Sequence, residues 1–263
     1  MKIRRLGWAG IEIEHDGASA VIDLVEDLSS MEAFVGPPRG PLPPPRSTGG
    51  VSLALVTHLH GDHADPAALG RSLAPDGLLG RPRSAEGEPL ETAALAWAER
   101  GLAELDRETV EAQPWQTIEA GPFSATAVPA VDGFGDPQVS WVLEAGGRRV
   151  LHAGDTLFHG SWWLTRMRCG PIDAAFLPVN GPIVSLPHRQ PPSAIEAAMN
   201  PEQAVLAASI LGAERIVPIH YDTIHQPPAY AQTGDVLPRV EAAAAGVEGL
   251  AAVPLAVGQT LDL

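Results

Sequence analysis

Apolar and polar positions alternate through IEIEH (residues 11–15) and again through ASAVI (18–22), and the intervening Asp16 and Gly17 predict a hairpin. VSLALVT (51–57) is instead almost continuously apolar and rich in β-branched residues, the pattern of a strand buried on both faces. FSATAVPA (123–130), VSWVLEA (139–145) and RRVLHAGD (148–155) predict three more strands, the last two turned at Gly146 and Gly147. DAAFLPV (173–179), ERIVPIH (214–220) and QTLDL (259–263) complete the strand pattern. Helical spacing predicts a short helix over 66–73, a longer one over 88–100, and a largely helical stretch over 192–213 broken near Asn200 and Pro201. A further helix is expected around Val240. Strands therefore come in two groups, each accompanied by helices, which predicts a layered α/β or α+β sandwich with the sheets in the middle.

GPPRGPLPPPRSTGG (residues 36–50) follows neither period, and its prolines favour extended backbone. Similar strand patterns flank it, so it reads as a loop within one domain spanning residues 1–263. Two roles are open to it, a surface insertion or a pocket wall.

Composition narrows the class. With 45% hydrophobic and 19% charged residues, the chain can build a sizeable core and is not globally disordered. A net charge of −15 repels polyphosphate backbones and disfavours nucleic acid as a partner. No run of about 18 apolar residues escapes interruption, so no membrane helix is expected, and the N-terminal stretch does not read as a signal peptide. Cys169 is the lone cysteine; no intrachain disulfide can form, which fits a cytoplasmic protein.

The candidate chemistry begins where the buried strand ends. His58, His60, Asp62 and His63 fall within six residues, and alternate residues of an extended segment point the same way, so these groups can converge on zinc, manganese or iron. Nine histidines scattered through 263 residues would not give such density. Three later segments, VPAVD (128–132), HAGDT (152–156) and VPIHYD (217–222), each follow a strand pattern and offer Asp132, Asp155 and His220 to the same site. Alone, Asp155 reads equally as a turn residue and His220 as a core histidine.

THLHGDH (57–63), HAGDT and PIHYD, in this order and spacing, resemble the metallo-β-lactamase superfamily over nearly the whole chain. LPVNG (177–181) followed by a helix and IVPIHYD looks most like the L-ascorbate-6-phosphate lactonase-like branch. The resemblance implies a four-layer αββα sandwich with two divalent metals, zinc or manganese, at one edge. It places His58 and His60 on the first metal, Asp62, His63 and His220 on the second, and Asp155 between them. It also implies a metal-bound hydroxide as nucleophile, oriented by Asp62 as the catalytic side chain. Asp23 is a candidate for holding a ligand histidine's tautomer, or else a carboxylate at a turn.

One position departs from the family pattern. Where a histidine normally completes the first metal's ligands, this chain has Asp132. If Asp132 is a ligand, two divalent ions, three carboxylates and a hydroxide sum to about zero charge, weakening the Lewis acid and tilting selection from zinc towards manganese or magnesium. If it points away, only one metal binds well and catalysis is slow or absent. Gly133 and Gly135 give the loop freedom to bring Asp132 or Asp136 inward.

Tyr221 is a candidate oxyanion donor or a packed tyrosine. His188 and Arg189 are candidates for an anionic substrate group or solvated loop residues. The leading expectation is thus a metal-dependent hydrolase of a small molecule, cleaving a lactone, another ester or a phosphoester. A non-catalytic metal- or ligand-binding protein of the same fold is the alternative, a nuclease is disfavoured by charge and length, and relatives of this type often form homo-oligomers.

Overall fold

A computed structural model describes residues 1–263 apart from His188, so the substrate role considered for His188 lies outside the described residues. The N-terminal sheet takes β1 (Lys2–Arg5), β2 (Ile11–His15), β3 (Ala18–Ile22), β4 (Val51–Leu55), β5 (Leu73–Pro82) and β6 (Glu108–Ala112). The C-terminal sheet takes β7 (Thr117–Ala120), β8 (Phe123–Pro129), β9 (Val139–Ala145), β10 (Arg148–His152) and β11 (Ala174–Pro178). β12 (Ile183–Val184) pairs with β14 (Tyr230–Ala231) apart from both; β13 (Arg215–Ile219) and β15 (Ala251–Ala252) extend the second sheet. β16 (Thr260–Asp262) returns to pair with β1 at the edge of the first.

Both sheets repeat one scheme, antiparallel strands followed by three parallel pairings: β3 to β6 in one, β10, β11, β13 and β15 in the other. Strand alternation then builds three apolar layers. Leu53 and Leu55 of β4 meet Trp141, Leu143 and Phe176 of the other sheet in the central layer. Ala54 and Val56 face outward to α2 (Pro66–Ser72) and α3 (Ala96–Ala103). On the far side, Val142, Leu151 and Ala175 pack against α4 (Trp162–Cys169), α5 (Pro201–Leu211) and α6 (Val236–Ala244). Helices, sheet, sheet and helices form the αββα sandwich that the sequence pattern and the resemblance predict.

The hairpin at Asp16 and Gly17 forms as predicted, with both residues at positive φ, as a two-residue turn of this hand requires. Two predicted helices are shorter than expected. Residues 88–95 run as turns before α3, and residues 193–200 are irregular before α5. In the second case the backbone bonds elsewhere: Ala197 donates to the Pro182 carbonyl and Met199 to that of Thr156. Loop partners replace the helical ones, and propensity yields to tertiary contact. α5 starts cleanly at Asn200, whose side chain and Gln203 form a reciprocal cap, with Pro201 in the first turn. The 36–50 loop is tied down at both ends. Arg39 donates to the Thr223 and His225 carbonyls, and buried Glu12 accepts from the Arg46 and Ser47 amides. Among the described residues no helix is long and apolar enough to cross a membrane.

Candidate metal centre

β4, β8, β10 and β13 all end at the same edge of the sandwich, the usual position for ligands at the carboxyl ends of parallel strands. β4 runs into His58, His60, Asp62 and His63; β8 leads to Asp132, β10 to Asp155 and β13 to His220. All seven side chains are buried or nearly so, and their ligand atoms fall into three overlapping groups. His58, His60, Asp132 and Asp155 offer ligand atoms within 4.8 Å of one another; so do His63, Asp155 and His220, and so do His58, Asp62 and His63. Asp155 is common to the first two groups, where a bridging carboxylate would stand.

The donors fit a metal. Nε2 of His58, His63 and His220 and Oδ2 of Asp132 are all buried without a hydrogen-bond partner among the described residues. Orphaned buried polar atoms are costly, and four of them converging on one volume are arranged for a cation. The neighbouring atoms enforce that arrangement. Asp23 Oδ2 lies 2.7 Å from His63 Nδ1, Asn180 Oδ1 lies 3.0 Å from His220 Nδ1, and Asp136 Oδ2 lies 2.9 Å from His60 Nε2. Each partner can accept a hydrogen bond from one ring nitrogen and leaves the other directed at the cluster, free to bind a metal once it gives up its proton. For His60 that nitrogen is Nδ1, 3.9 Å from Asp132 Oδ2. Asp23 also accepts from the Thr57 amide and hydroxyl, which locks its carboxylate.

The electrostatics favour positive charge here. Burial alone would depress His60, yet Asp136, Asp132 and Asp155 raise it to about 9. His63 likewise rises to about 9, because Asp62 and Asp23 outweigh burial. His220 falls to about 4, through burial and then the charge of His63. Burial raises Asp155 to about 7 against the pull of His63. Asp62 opposes its burial through His63 and His220 and is held well below the carboxylate range. The Trp8 indole donates to Asp62 Oδ2 at 2.9 Å, fixing its orientation.

Backbone conformation is specialised at the same edge. Asp23 and His220 adopt positive φ, uncommon for residues with a Cβ and concentrated at functional sites. Gly154 must lack a side chain, since a Cβ would lie 2.6 Å from Thr57 Oγ1. Gly133 matters by proximity, because a Cβ would sit 2.1 Å from the Ala197 carbonyl oxygen.

Other predicted residues fall differently. Tyr221 turns away from the cluster, where its hydroxyl accepts from Arg5 Nη1 at 2.5 Å beneath a guanidinium 4.2 Å from its ring. Buried within the apolar layer of the second sheet and bonded to Arg5, Tyr221 packs as the second of its two predicted roles has it. Tyr230, unremarked in the sequence, stands there instead: its hydroxyl accepts from Asn180 Nδ2, and burial together with the charge of Asp62 holds its pKa well above normal. Arg189 lies at the rim, donating to the Phe134 carbonyl and ion-paired to Asp136 at 3.4 Å. Gln138, which donates to Asp155 Oδ1, and Asn180 also escaped the sequence reading; a buried amide directly after a strand, in LPVNG, was the available signal for Asn180.

The model of the beta-lactamase superfamily domain matches residues 20–221, so the chain belongs to that family. A metal-dependent hydrolase of Thermococcus kodakarensis is 26% identical over 229 residues, 85% of each chain. Another, from Thermus thermophilus, is 29% identical over 220 residues, 80% of each. Among solved structures, the metallo hydrolase Igni18 of Ignicoccus hospitalis superposes with a TM-score of 0.64 at 20% identity, covering 99% of this chain and 97% of that one. Fold and family together define a metal-dependent hydrolase of the metallo-β-lactamase superfamily.

Proposed function

We propose that the chain hydrolyses a small molecule, a lactone, another ester or a phosphoester, at a two-metal centre. His58, His60 and Asp132 would hold one divalent ion, Asp62, His63 and His220 the other, and Asp155 both. The observation that carries this reading is the convergence of four partnerless buried ligand atoms. Bound there, zinc or manganese would supply Lewis acidity and water activated at neutral pH. Asp62, ionised and aimed by Trp8, would accept a hydrogen bond from the attacking water or hydroxide and orient it. Tyr230, held protonated, offers a donor beside the same carboxylates, with Asn180 fixing its oxygen. A non-catalytic role would be favoured by an Asp132 turned outward, whereas its Oδ2 faces His60. The lone Cys169 and the acidic charge fit a cytoplasmic protein acting on small molecules and not on nucleic acid.

The test is elemental analysis after reconstitution with zinc and with manganese, followed by turnover of lactones, p-nitrophenyl esters and p-nitrophenyl phosphoesters beside Asp62→Ala. About two equivalents of metal and turnover lost in Asp62→Ala are expected. Less than one equivalent with both metals, or equal rates in both proteins, would overturn the proposal.

A further inference from the structure

A cavity of about 350 Å³ opens beside the centre and reaches it through His60. Its size is at the lower end of ligand pockets, about 300–1,000 Å³, and suits one substituent of a small molecule. Met31, Leu90, Trp97, Phe134 and Leu186 form its wall. Leu90 is 79% exposed and Trp97 39%, and neither belongs to a buried cluster. His60 stands at the inner end, with Nδ1 in the metal cluster. Apart from His60, which faces the ligand cluster, Arg189 is the basic side chain lining the cavity among the described residues, and Asp136 pairs with it while its guanidinium lies over the Phe134 ring. A charged substituent would lose hydration here with little beyond the Ser30 hydroxyl and the already paired Arg189 to meet it.

Resting on the hydrolase reading above, we propose that the substrate is a neutral carboxylic ester, open-chain or lactone, carrying an apolar arm of about six carbons or an aryl ring. The arm seats against Trp97 and Phe134 and brings the carbonyl over the ligand cluster. Hydrolysis adds water across the acyl C–O bond, giving a carboxylic acid and an alcohol, or one hydroxy acid from a lactone.

Two ester series test this, p-nitrophenyl esters and γ-lactones with arms of two to eight carbons, assayed on the metal-loaded protein. kcat/KM should rise about fourfold per methylene until the cavity fills near six carbons. Ala94 lines the cavity from an exposed position, so Ala94→Trp fills it without disturbing a core; in that variant the two- and six-carbon esters should converge. Turnover independent of arm length, or a length dependence unchanged in Ala94→Trp, would overturn the proposal. Binding supplies a readout without turnover: calorimetry of hexanohydroxamate against acetohydroxamate should show the longer compound binding at least tenfold tighter, and equal affinities would also overturn it. Absence of all ester turnover alongside tighter hexanohydroxamate binding would fail the hydrolase reading while upholding the apolar pocket.

Discussion

Asp23 Oδ2 and His63 Nδ1 lie 2.7 Å apart with both side chains wholly buried, and this contact decides which nitrogen of His63 is free for the cluster. Burial would raise the Asp23 carboxyl, but His63 and His152 hold it below its usual value. Asp23→Asn keeps the shape and presents an amide N–H to Nδ1, forcing the proton onto Nε2. Metal affinity should fall 10- to 100-fold, measured by competition with a chelator. An unchanged affinity would mean that Asp23 serves the strand end alone.

Asp132 divides its carboxylate between two tasks. Oδ1 accepts from the Phe134 and Asp136 amides, and Oδ2 faces the cluster. In Asp132→Asn the amide oxygen retains the loop contacts, so Nδ2 is left facing His60. One of two metal equivalents should bind at least tenfold more weakly, with little change in melting temperature. Elemental analysis across a chelator series separates the two sites.

Gly133→Ala should displace the loop carrying Asp132 and Asp136, since the added Cβ collides with the Ala197 backbone. Metal affinity should fall more than in Asp132→Asn, because His60 also loses its outer partner. Equal affinities of Gly133→Ala and wild type would show that the 197 segment yields instead.

His159 stacks on Trp162 with ring centroids 4.1 Å apart, and burial lowers its pKa to about 4. The folded ring stays neutral while the unfolded one takes a proton below its ordinary value of 6.5. Stability from this group is therefore lost as pH falls from about 6.5 to about 4. His159→Phe keeps the stack and removes the proton site. Chemical denaturation at pH 7 and pH 4.5 should show a smaller loss for the variant; equal losses would assign the acid sensitivity elsewhere.

Tyr221→Phe removes the acceptor of buried Arg5, which then keeps the Leu255 carbonyl on the same nitrogen. Destabilisation of about 1–3 kcal/mol is expected, with kcat/KM unchanged. A selective loss of kcat would return Tyr221 to the site.

Much of this architecture is legible in the chain itself. The apolar run before His58 predicts a strand buried on two faces, VSWVLEA reads as a further strand, and the four ligand segments each follow a strand pattern. Asp132 could be named but not aimed, because its direction depends on Gly133 meeting Ala197, a contact 64 residues distant in sequence. β5 was illegible for a related reason. LAPDGLLGRP carries glycines unsuited to strands, and Gly80 is there because a Cβ would press 2.8 Å from Ile118 and Leu55. Asn180 and Gln138 serve through His220 and Asp155, partners distant in sequence, so a local pattern marks Asn180 at most as a buried amide and Gln138 not at all. Residues 88–95 have helical composition yet run as turns that carry Leu90 to the cavity rim.

The pairing of β16 with β1 joins strands some 250 residues apart in sequence at one sheet edge, Ile3 lying opposite Leu261. A ribosome releases a chain N-terminus first, so HLHGDH emerges well before Asp155 and His220. The histidines near residue 60 spend that interval as an exposed, incomplete chelator. A complete set of the seven donors therefore exists only once both sheets have formed, so the site is a product of the whole fold and not of the HLHGDH segment alone.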